Sequence, residues 1–431
     1  MILNRIILMR IIPRRIEMKT LRYPGWKMLY GRRKTGKSFI ASRFLDHDLY
    51  YFVQRDGAIL ERRSGARLSY QELLKELSKN LGGEKTIVID EFHRLPEDFL
   101  DFLHANAGRS EKDLVLLTST LWLSLRLLSK KESPLLGGVV LPIKIGLIDE
   151  REVIIELSKE VSGKELVEAS TYLREPMLVP LYKPPLREFM AQYLYSSGPV
   201  VEDLIGEAFT EEEILFSEVY RAILHAVADG KSKSGEIASY LVSQGLLDSP
   251  SSIQKYLKVL STMDIIRKVP IFRKRRRFSY SIASPLLDLH FYLSSKYAYT
   301  ELETPPLEFI RSAVNEKVPR HVEKYIESLL GKVYGLRPVR IEEPDLEVDI
   351  ALQGFKRLEL VGGEVKWKSR VKREEVWKIE EKLSRFNCRK VLVVPDESVL
   401  ESEPKTVEVL TPPEDLLTLA QKSLRKELGE E

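Results

Sequence analysis

Short apolar runs and longer amphipathic segments alternate along the first third of the chain. Apolar runs at residues 26–30, 86–92 and 113–117 have the length and composition of buried strands. Segments with helical periodicity separate these runs, so residues 25–146 are predicted to form a parallel sheet with helices on both faces. Residues 147–210 change to consecutive helical segments, which a Pro-rich join interrupts.

A different element order follows over residues 211–298. A long amphipathic helix ends at Gly230, two shorter helices follow it, and a basic segment then joins two strands. Three helices followed by a hairpin are typical of a winged helix-turn-helix. The recognition helix is predicted over Ser251–Met263, where Ser and Pro cap its start, and the wing over Arg267–Tyr280.

The C-terminal part returns to an α/β pattern. A segment around residues 299–306, which ends in ETPP, is predicted to be a linker. Residues 299–411 contain a helix, two strands, a second helix and a further strand, and this order predicts a second α/β domain. Residues 412–431 are predicted to form a surface helix with a charged, frayed end.

The start of the chain is apolar but is interrupted by arginines. Residues 1–24 lack the small-residue cleavage site of a signal peptide. Two interpretations stay open: a frayed extension, or a basic amphipathic segment at a membrane surface. Met18 is an alternative start. No window of about 18 residues lacks charge, so no transmembrane helix is predicted.

Composition adds three limits. A chain of 431 residues with 43% hydrophobic and 31% charged residues is expected to be globular and to contain more than one domain. The single cysteine, Cys388, excludes a disulfide framework and predicts a cytoplasmic protein. The six histidines lack metal-ligand spacing, so no histidine metal site is predicted. The net charge of +4 is small, so the local distribution of charge is more informative.

The segment GRRKTGKS, Gly31–Ser38, fits the pattern G-x-x-x-x-G-K-[ST] between a predicted strand and a predicted helix. Two glycines let the backbone turn, so that its N–H groups face phosphate oxygens at a helix N-terminus. Lys37 is expected to reach the β- and γ-phosphates of ATP, and Ser38 to bind Mg²⁺. The predicted nucleotide-binding residues of this segment are Gly31, Arg32, Arg33, Lys34, Thr35, Gly36, Lys37, Ser38 and Phe39.

Two further strand ends carry polar side chains. The run TIVIDEF ends in Asp90, which is predicted to contact the nucleotide and to hold Mg²⁺, and in Glu91, which is predicted to polarise the attacking water. A polar side chain after the next strand can contact the γ-phosphate, although a Ser/Thr-rich turn is the alternative. That strand is followed by Thr118, Ser119 and Thr120.

The predicted wing contains a run of basic residues that can neutralise DNA phosphates and make binding steeply salt-dependent. This run is Arg273, Lys274, Arg275, Arg276 and Arg277. Duplex DNA is therefore the predicted partner, with Ser252 and Lys255 of the recognition helix as further contacts. The alternatives are a solvated loop and a contact with an acidic neighbouring domain.

A third set of charged residues lies near the C-terminus. Asp349 is in an alternating strand, and Glu364 and Lys366 point to the same face of the next strand because side chains alternate with a period of two. Two carboxylates beside a lysine can bind Mg²⁺ and activate water against a phosphodiester, and Glu323 is a candidate to complete the site. A surface ion pair is the alternative, and DNA cleavage is left open.

These motifs together resemble the archaeal ATPase family of the AAA+/STAND type. The resemblance rests on GRRKTGKS, IVIDEF and LVLLTST in this order, and on SPLLGG at Ser133–Gly138. It implies an α/β ATPase core over residues 25–146 and a helical lid over 147–210. It also implies a winged helix over 211–298, a PD-(D/E)xK nuclease-like domain over 299–411, and ATP and Mg²⁺ as cofactors.

The chain departs from that family at two places. Gly138 stands where the family usually has an arginine that contacts phosphates, so such an arginine must come from elsewhere. The candidates are Arg109, Arg126, Arg151 or another subunit, which leaves a homo-oligomer open. The segment before Trp26 does not match the family, so adenine contacts are unassigned. The rival function is a nucleotide-switched regulator or signalling ATPase with an inactive nuclease fold.

Overall fold

The structure, a computed structural model, describes residues 10–107, 114–119, 140–211, 214–303, 305–342, 347–354 and 360–430. Three sheets, of seven, two and five strands, organise these residues. None of the helices in the described ranges is long and apolar enough to cross a membrane.

The seven-stranded sheet lies in the first third of the chain. Its strands are β1 (Trp26–Tyr30), β2 (Leu49–Val53), β3 (Ile59–Glu61), β4 (Arg67–Leu68), β5 (Ile87–Asp90), β6 (Leu114–Thr118) and β7 (Val140–Lys144). The spatial order is β4-β3-β2-β5-β6-β1-β7, and the five strands from β2 to β7 run parallel. β6 therefore lies between β1 and β5, so the carboxyl ends of all three meet at one edge of the sheet.

Helices cover both faces of this sheet, which confirms the predicted parallel α/β fold. They are α1 (Arg15–Leu21), α2 (Lys37–Phe44), α3 (Tyr70–Asn80) and α4 (Asp98–Asn106). Adjacent residues of β1 point to opposite faces: Met28 packs in the apolar cluster with α3 and α4, and Leu29 packs in the cluster with α2. The start of α3 is fixed by a capping box between Ser69 and Glu72.

Residues 10–21 pack against the molecule, contrary to the expectation of a frayed extension. The Arg14 guanidinium donates to the carbonyl oxygens of Thr35 at 2.8 Å and Gly146 at 3.0 Å. The carboxylate of Glu152 accepts the N–H groups of Arg15 and Ile16 at 2.9 and 3.0 Å, which caps the N-terminus of α1. Burial raises the pKa of Glu152 to about 7.

The middle of the chain is helical and ends in a hairpin. Its elements are α5 (Glu150–Leu157), α6 (Gly163–Tyr172), α7 (Leu186–Glu211), α8 (Glu218–Ala228), α9 (Ser234–Ser243), α10 (Ile253–Thr262), β8 (Ile266–Pro270), β9 (Phe278–Ile282) and α11 (Pro285–Tyr297). We refer to α5–α7 as the lid. The long helix predicted to end at Gly230 is shorter than expected, because α8 begins only after Ser217. The element order from α8 to β9 is three helices and a hairpin, and α10 begins after a 3₁₀ turn over Pro250–Ser252.

The C-terminal part contains the five-stranded sheet. Its elements are α12 (Leu307–Tyr334), β10 (Arg337–Pro338), β11 (Ile350–Gln353), β12 (Leu360–Val365), α13 (Arg373–Ser384), β13 (Arg389–Val393), β14 (Glu408–Leu410) and α14 (Leu417–Leu428). The strands lie in sequence order, antiparallel from β10 to β12 and parallel from β12 to β14. This sheet and its helices form the second α/β arrangement that the sequence predicts.

One apolar core joins the lid, the segment from α8 to α11 and the C-terminal part. Tyr172, Phe291 and Leu330 all belong to this core, although they come from three predicted domains. Tyr299, at the start of the predicted linker, is buried, and its hydroxyl lies 2.6 Å from His290 Nδ1. The C-terminal segment is likewise docked rather than frayed, with Leu424 of α14 buried.

Candidate functional site

The loop Gly31–Ser38 connects β1 to α2 at the carboxyl edge of the sheet. Gly36 has a φ of +93° directly before α2, a backbone conformation that favours glycine. Gly31 is required for a different reason: a Cβ there would lie 2.0 Å from the carbonyl oxygen of Ile145, which follows β7. The two glycines thus permit the turn and the close approach of the neighbouring chain.

The Lys37 amine is buried within this loop. It donates to the carbonyl oxygens of Gly31 at 2.8 Å and Arg32 at 3.0 Å. The Thr35 hydroxyl also donates to the Arg32 carbonyl oxygen at 2.7 Å. The loop therefore holds a positive charge at the N-terminus of α2, where phosphate groups bind favourably.

Asp90, the last residue of β5, is buried, and only one of its two carboxylate oxygens has a hydrogen-bond partner among the described residues. Its Oδ2 accepts the Tyr50 hydroxyl at 2.7 Å, and Ser38 lies within hydrogen-bonding reach of the same phenol. Burial raises the pKa of Tyr50 well above its ordinary value, so the hydroxyl remains a donor. Asp90 Oδ1 is buried without a hydrogen-bond partner among the described residues. An unpaired buried carboxylate oxygen is costly, and it fits a place for Mg²⁺ beside Ser38.

Glu91 is tied to the end of the neighbouring strand. Its backbone has a φ of +57°, and its Oε2 accepts the Ser119 hydroxyl at 2.9 Å and the Ser119 N–H at 3.3 Å. His93 Nδ1 lies 3.4 Å from the same oxygen and 3.0 Å from the Thr118 hydroxyl. The sheet order thus brings Thr118 and Ser119 to Glu91, whereas Thr120 lies outside the described residues.

A cavity of about 880 Å³ opens beside the loop, and we call it the nucleotide cavity. Its walls come from the loop, the residues that follow β5 and β6, residues 10–14 and the lid. One wall is apolar and includes Ile11, Ile12 and Met177, which the sequence did not indicate. Such a wall suits the flat face of a base. The apolar pair Ile11 and Ile12 is visible in the sequence. Its contact with the lid is not, because that contact joins residues far apart in the chain.

The arginines that line the nucleotide cavity are not those that the sequence suggested for contact with the phosphates. Arg151 is buried in ion pairs with Asp149 at 3.0 Å and Glu427 at 2.6 Å and does not line the cavity, so that candidate is wrong. Arg109, Arg126 and the Ser133–Gly138 motif lie outside the described residues. The sequence missed arginines that do line the cavity: Arg10, Arg14, Arg55 and Arg94.

The predicted loop residues divide between the cavity and the lid. Arg33, Lys34 and Phe39 line the nucleotide cavity. Arg32 turns away and forms an ion pair of 2.7 Å with Glu175, a buried carboxylate in the segment between α6 and α7. This pair links the phosphate loop directly to the lid.

We call Arg273–Arg277, between β8 and β9, the wing tip, and all five of its side chains are exposed. Lys274 pairs with Glu342 at 2.8 Å, and the Phe272 N–H donates to the Arg340 carbonyl oxygen at 2.8 Å. Within the described part of the chain, Arg273, Arg275, Arg276 and Arg277 have no ion pair. The wing tip is therefore anchored on the C-terminal part by one basic residue and leaves four guanidinium groups accessible.

Helix α10, which the sequence predicts to be the recognition helix, presents a polar face. Lys255 is exposed, as are Gln254 and Lys258 on the same helix. The Ser252 hydroxyl instead donates to the Ser249 carbonyl oxygen at 2.8 Å, within the turn that precedes α10. Ser252 therefore stabilises this turn, whereas Lys255 is accessible to a partner.

The structure brings the C-terminal charged residues together in what we call the carboxylate–lysine cluster: Glu323, Asp349, Glu364, Lys366 and Lys382. Lys366 Nζ lies 2.6 Å from Glu364 and 3.6 Å from Asp349. Lys382, which the sequence did not indicate, lies 2.5 Å from the other oxygen of Glu364. Burial and the negative charge of Asp349 raise the pKa of Glu323 to about 7. In the described ranges, no three His, Cys, Asp or Glu side chains are arranged to hold a metal ion.

Residues 24–153 match the model of a known family, the AAA domain. No curated protein matches this chain in sequence. Solved structures that resemble it include the Walker-type ATPase PABY2304 of Pyrococcus abyssi, with 18% identity over 65% of this chain and 96% of that chain and a TM-score of 0.46. The ORC2 protein of Aeropyrum pernix, in its ADPNP–ADP complexes, has 14% identity over 68% and 88% of the two chains and a TM-score of 0.37. The ORC1 protein of the same organism, in complex with DNA, has 16% identity over 70% and 97% and a TM-score of 0.30.

Proposed function

We propose that the protein binds ATP with Mg²⁺ in the nucleotide cavity and hydrolyses it. The observation that carries this proposal is the convergence of three groups at one edge of the sheet: the phosphate loop, Asp90 with an unpaired buried oxygen, and Glu91. The match of residues 24–153 to the AAA domain supports the same function.

Each group has a distinct part in the proposed reaction. The backbone of Gly31–Phe39 and the Lys37 amine hold the phosphates, and Ser38 and Asp90 hold Mg²⁺, which supplies charge neutralisation. Glu91 orients the attacking water and accepts its proton, after it exchanges the Ser119 hydroxyl for that water. The apolar wall with Ile12 holds the base.

The Arg32–Glu175 ion pair supports a link between nucleotide and lid. Phosphates that enter the loop compete for its charged and N–H groups, so the loop changes its contacts with Glu175. A changed angle between core and lid would move the parts that share the lid's apolar core, including the winged helix. Titration calorimetry of the full chain with ATP and Mg²⁺ tests the premise. One site per chain is expected, and an absence of heat would contradict it.

We propose further that the wing tip binds the phosphate backbone of duplex DNA. Four exposed arginines on one loop, without ion pairs in the described residues, form a compact positive surface. Arginine forms bidentate hydrogen bonds with phosphate, so this surface fits a polyanion better than an isolated surface charge would. The exposed Lys255 and Lys258 of α10 add to the same charge.

A change in salt dependence tests the DNA proposal. Alanine in place of Arg275, Arg276 and Arg277 together is expected to weaken binding and to flatten the plot of log affinity against log salt. Each neutralised phosphate contributes about 0.9 to the slope, so removing three arginines is expected to flatten it by up to about 2.7. The matched control is Lys274→Ala, which removes a charge that Glu342 already pairs. We expect a smaller change for this control. An unchanged slope in the triple variant would show that the wing tip contacts something other than DNA.

A second candidate activity, Mg²⁺-dependent DNA cleavage, is favoured by one observation. Helix α12 and strands β11 and β12 bring Glu323, Asp349, Glu364 and Lys366 to one place. Carboxylates beside a lysine can hold Mg²⁺ and activate water. Because Lys366 and Lys382 occupy both oxygens of Glu364, a metal ion can bind there only if a lysine moves.

Cleavage of a labelled duplex with and without Mg²⁺ decides between an active and an inactive nuclease fold. If the cluster is active, Asp349→Asn is expected to lower the cleavage rate at least about 100-fold, since the variant lacks the negative charge of a metal ligand. Glu374→Gln, an exposed carboxylate on α13, is the matched control and should cut like the wild type. Absence of Mg²⁺-dependent cutting in the wild type would support the regulator with an inactive nuclease fold.

A further inference from the structure

A second cavity, of about 560 Å³, lies where the ATPase core, the lid, the winged-helix region and α12 meet. We call it the junction cavity. It shares no lining residue with the nucleotide cavity. Its volume is typical of a site for a small molecule, which ranges from about 300 to 1,000 Å³.

One face of α12 forms a wall of the junction cavity. The lining residues of this helix are His321, Lys324, Tyr325, Ser328 and Lys332. Their spacing of three and four residues places them on the same side of the helix. Strand β8 contributes the lining residues Arg267 and Lys268, so two elements distant in sequence supply basic residues to the lining.

Positive charge predominates in this lining. Six lining residues are basic, and three, Glu17, Asp149 and Asp264, are acidic. The basic residues are Lys144, Arg174, Arg267, Lys268, Lys324 and Lys332.

Four of these six cations have a carboxylate partner. Lys144 pairs with Asp264 at 2.9 Å, and Lys332 pairs with Asp149 at 2.8 Å. Two pairs reach carboxylates outside the lining: Arg174 with Glu150 at 2.9 Å, and Arg267 with Glu327 at 3.6 Å.

Two cations, Lys268 and Lys324, have no such partner. Within the described ranges, no carboxylate or other acceptor lies within ion-pair or hydrogen-bond distance of the Lys324 amine. The Lys324 side chain is exposed, so its amine is accessible to an anion. The Lys268 amine lies 3.8 Å above the ring of Phe278 and forms no ion pair in the described residues. Lys268 is exposed as well, so both lysines present a positive charge that an anion bound in the cavity can neutralise.

A neutral polar group adds independent support. The Ser261 hydroxyl belongs to the lining of the junction cavity, is buried, and has no hydrogen-bond partner among the described residues. A buried hydroxyl is normally hydrogen-bonded, so this hydroxyl is available to a group bound in the cavity. The remaining wall includes apolar side chains such as Ile266 and Ile282.

We propose that the junction cavity binds a small organic phosphate. Its phosphate group would accept hydrogen bonds from Lys324, Lys268 and Ser261, and its carbon skeleton would contact Ile266 and Ile282. Such a ligand would touch β7 of the ATPase core through Lys144 and the winged helix through β8. The site would therefore link a metabolite signal to the contact between these two parts, independently of the nucleotide cavity.

The experiment uses the full chain with Lys37→Ala as the parent, so that the phosphate loop does not bind the probe. Titration calorimetry with inorganic pyrophosphate is expected to show saturable binding at one site. Lys324→Met in this parent should weaken binding at least about tenfold, because the variant cannot form one charged hydrogen bond. Lys324→Arg keeps the charge and should bind within about threefold of the parent.

The control is Lys378→Met, which removes one exposed charge on α13 outside the cavity and should leave binding unchanged. Melting temperatures of all variants show whether each one is folded; if Lys324→Met does not fold, Lys268→Met replaces it with the same expected loss. No saturable binding in the parent, or equal affinity in the folded Lys324→Met variant, would overturn the proposal. Displacement of pyrophosphate by a short DNA duplex would overturn it as well, since the site would then belong to DNA. Because every variant carries Lys37→Ala, these outcomes do not depend on ATP binding.

Discussion

Replacement of Lys37 by Ala is expected to weaken ATP binding at least about 100-fold, which corresponds to about 3 kcal/mol. The Lys37 amine is buried at the N-terminus of α2 and donates to the carbonyl oxygens of Gly31 and Arg32 in the loop. Phosphate oxygens would replace those neutral acceptors with charged ones, and hydrogen bonds between charged groups are about twice as strong as neutral ones. Titration calorimetry with ATP and Mg²⁺ measures the loss directly.

A matched variant separates this effect from a general loss of positive charge. Lys85→Ala removes an exposed lysine just before β5. This lysine is far from the phosphate loop in the sequence. It should bind ATP like the wild type. The ATP affinities can be compared only if the melting temperature of the Lys37→Ala variant stays close to that of the wild type. Equal ATP affinity in a folded Lys37→Ala variant would remove the basis for a nucleotide-binding function.

Replacement of Glu91 by Gln is expected to reduce ATP hydrolysis by about 100- to 10,000-fold while ATP affinity stays within about threefold of the wild type. The amide oxygen of Gln can still accept the Ser119 hydroxyl, which now lies 2.9 Å from Glu91, so the ends of β5 and β6 stay joined. The amide cannot accept a proton from water, so only the chemical step is impaired. Phosphate release under single-turnover conditions measures that step.

The control for this variant is Glu97→Gln, which changes an exposed carboxylate just before α4. It should hydrolyse ATP at the wild-type rate. If Glu91→Gln also hydrolyses ATP at that rate, another group must orient the water. If both variants and the wild type bind ATP without hydrolysis, the protein acts as a nucleotide-switched regulator.

The phosphate loop was readable from the sequence because its chemistry depends on residues that are neighbours in the chain. Gly36, Lys37 and Ser38 act through the turn between one strand and the next helix, and that turn is local. The strands of the core were readable for a similar reason: buried strands of a parallel sheet are continuous apolar runs. The fold class followed from the alternation of these two patterns.

Other expectations failed where distant residues meet. The N-terminal segment was expected to be frayed, because the sequence does not show that Glu152 of the lid caps α1. Arg151 was a reasonable candidate by residue type, but Glu427 near the other end of the chain holds it. A single apolar cluster also contains residues from both sides of positions 211 and 299, where the sequence predicts domain boundaries.

The sequence by itself determined the parallel α/β core, the phosphate loop and the identity of the acidic and basic side chains available for chemistry. Only the tertiary structure decided which of them meet: Ser119 beside Glu91, Lys382 on Glu364, and, among the described residues, Lys324 without a partner in the junction cavity. The physical reason is the distance along the chain over which each kind of interaction acts. Backbone turns and side-chain periodicity act over a few residues, whereas the pairing of charges depends on packing between segments that lie tens to hundreds of residues apart.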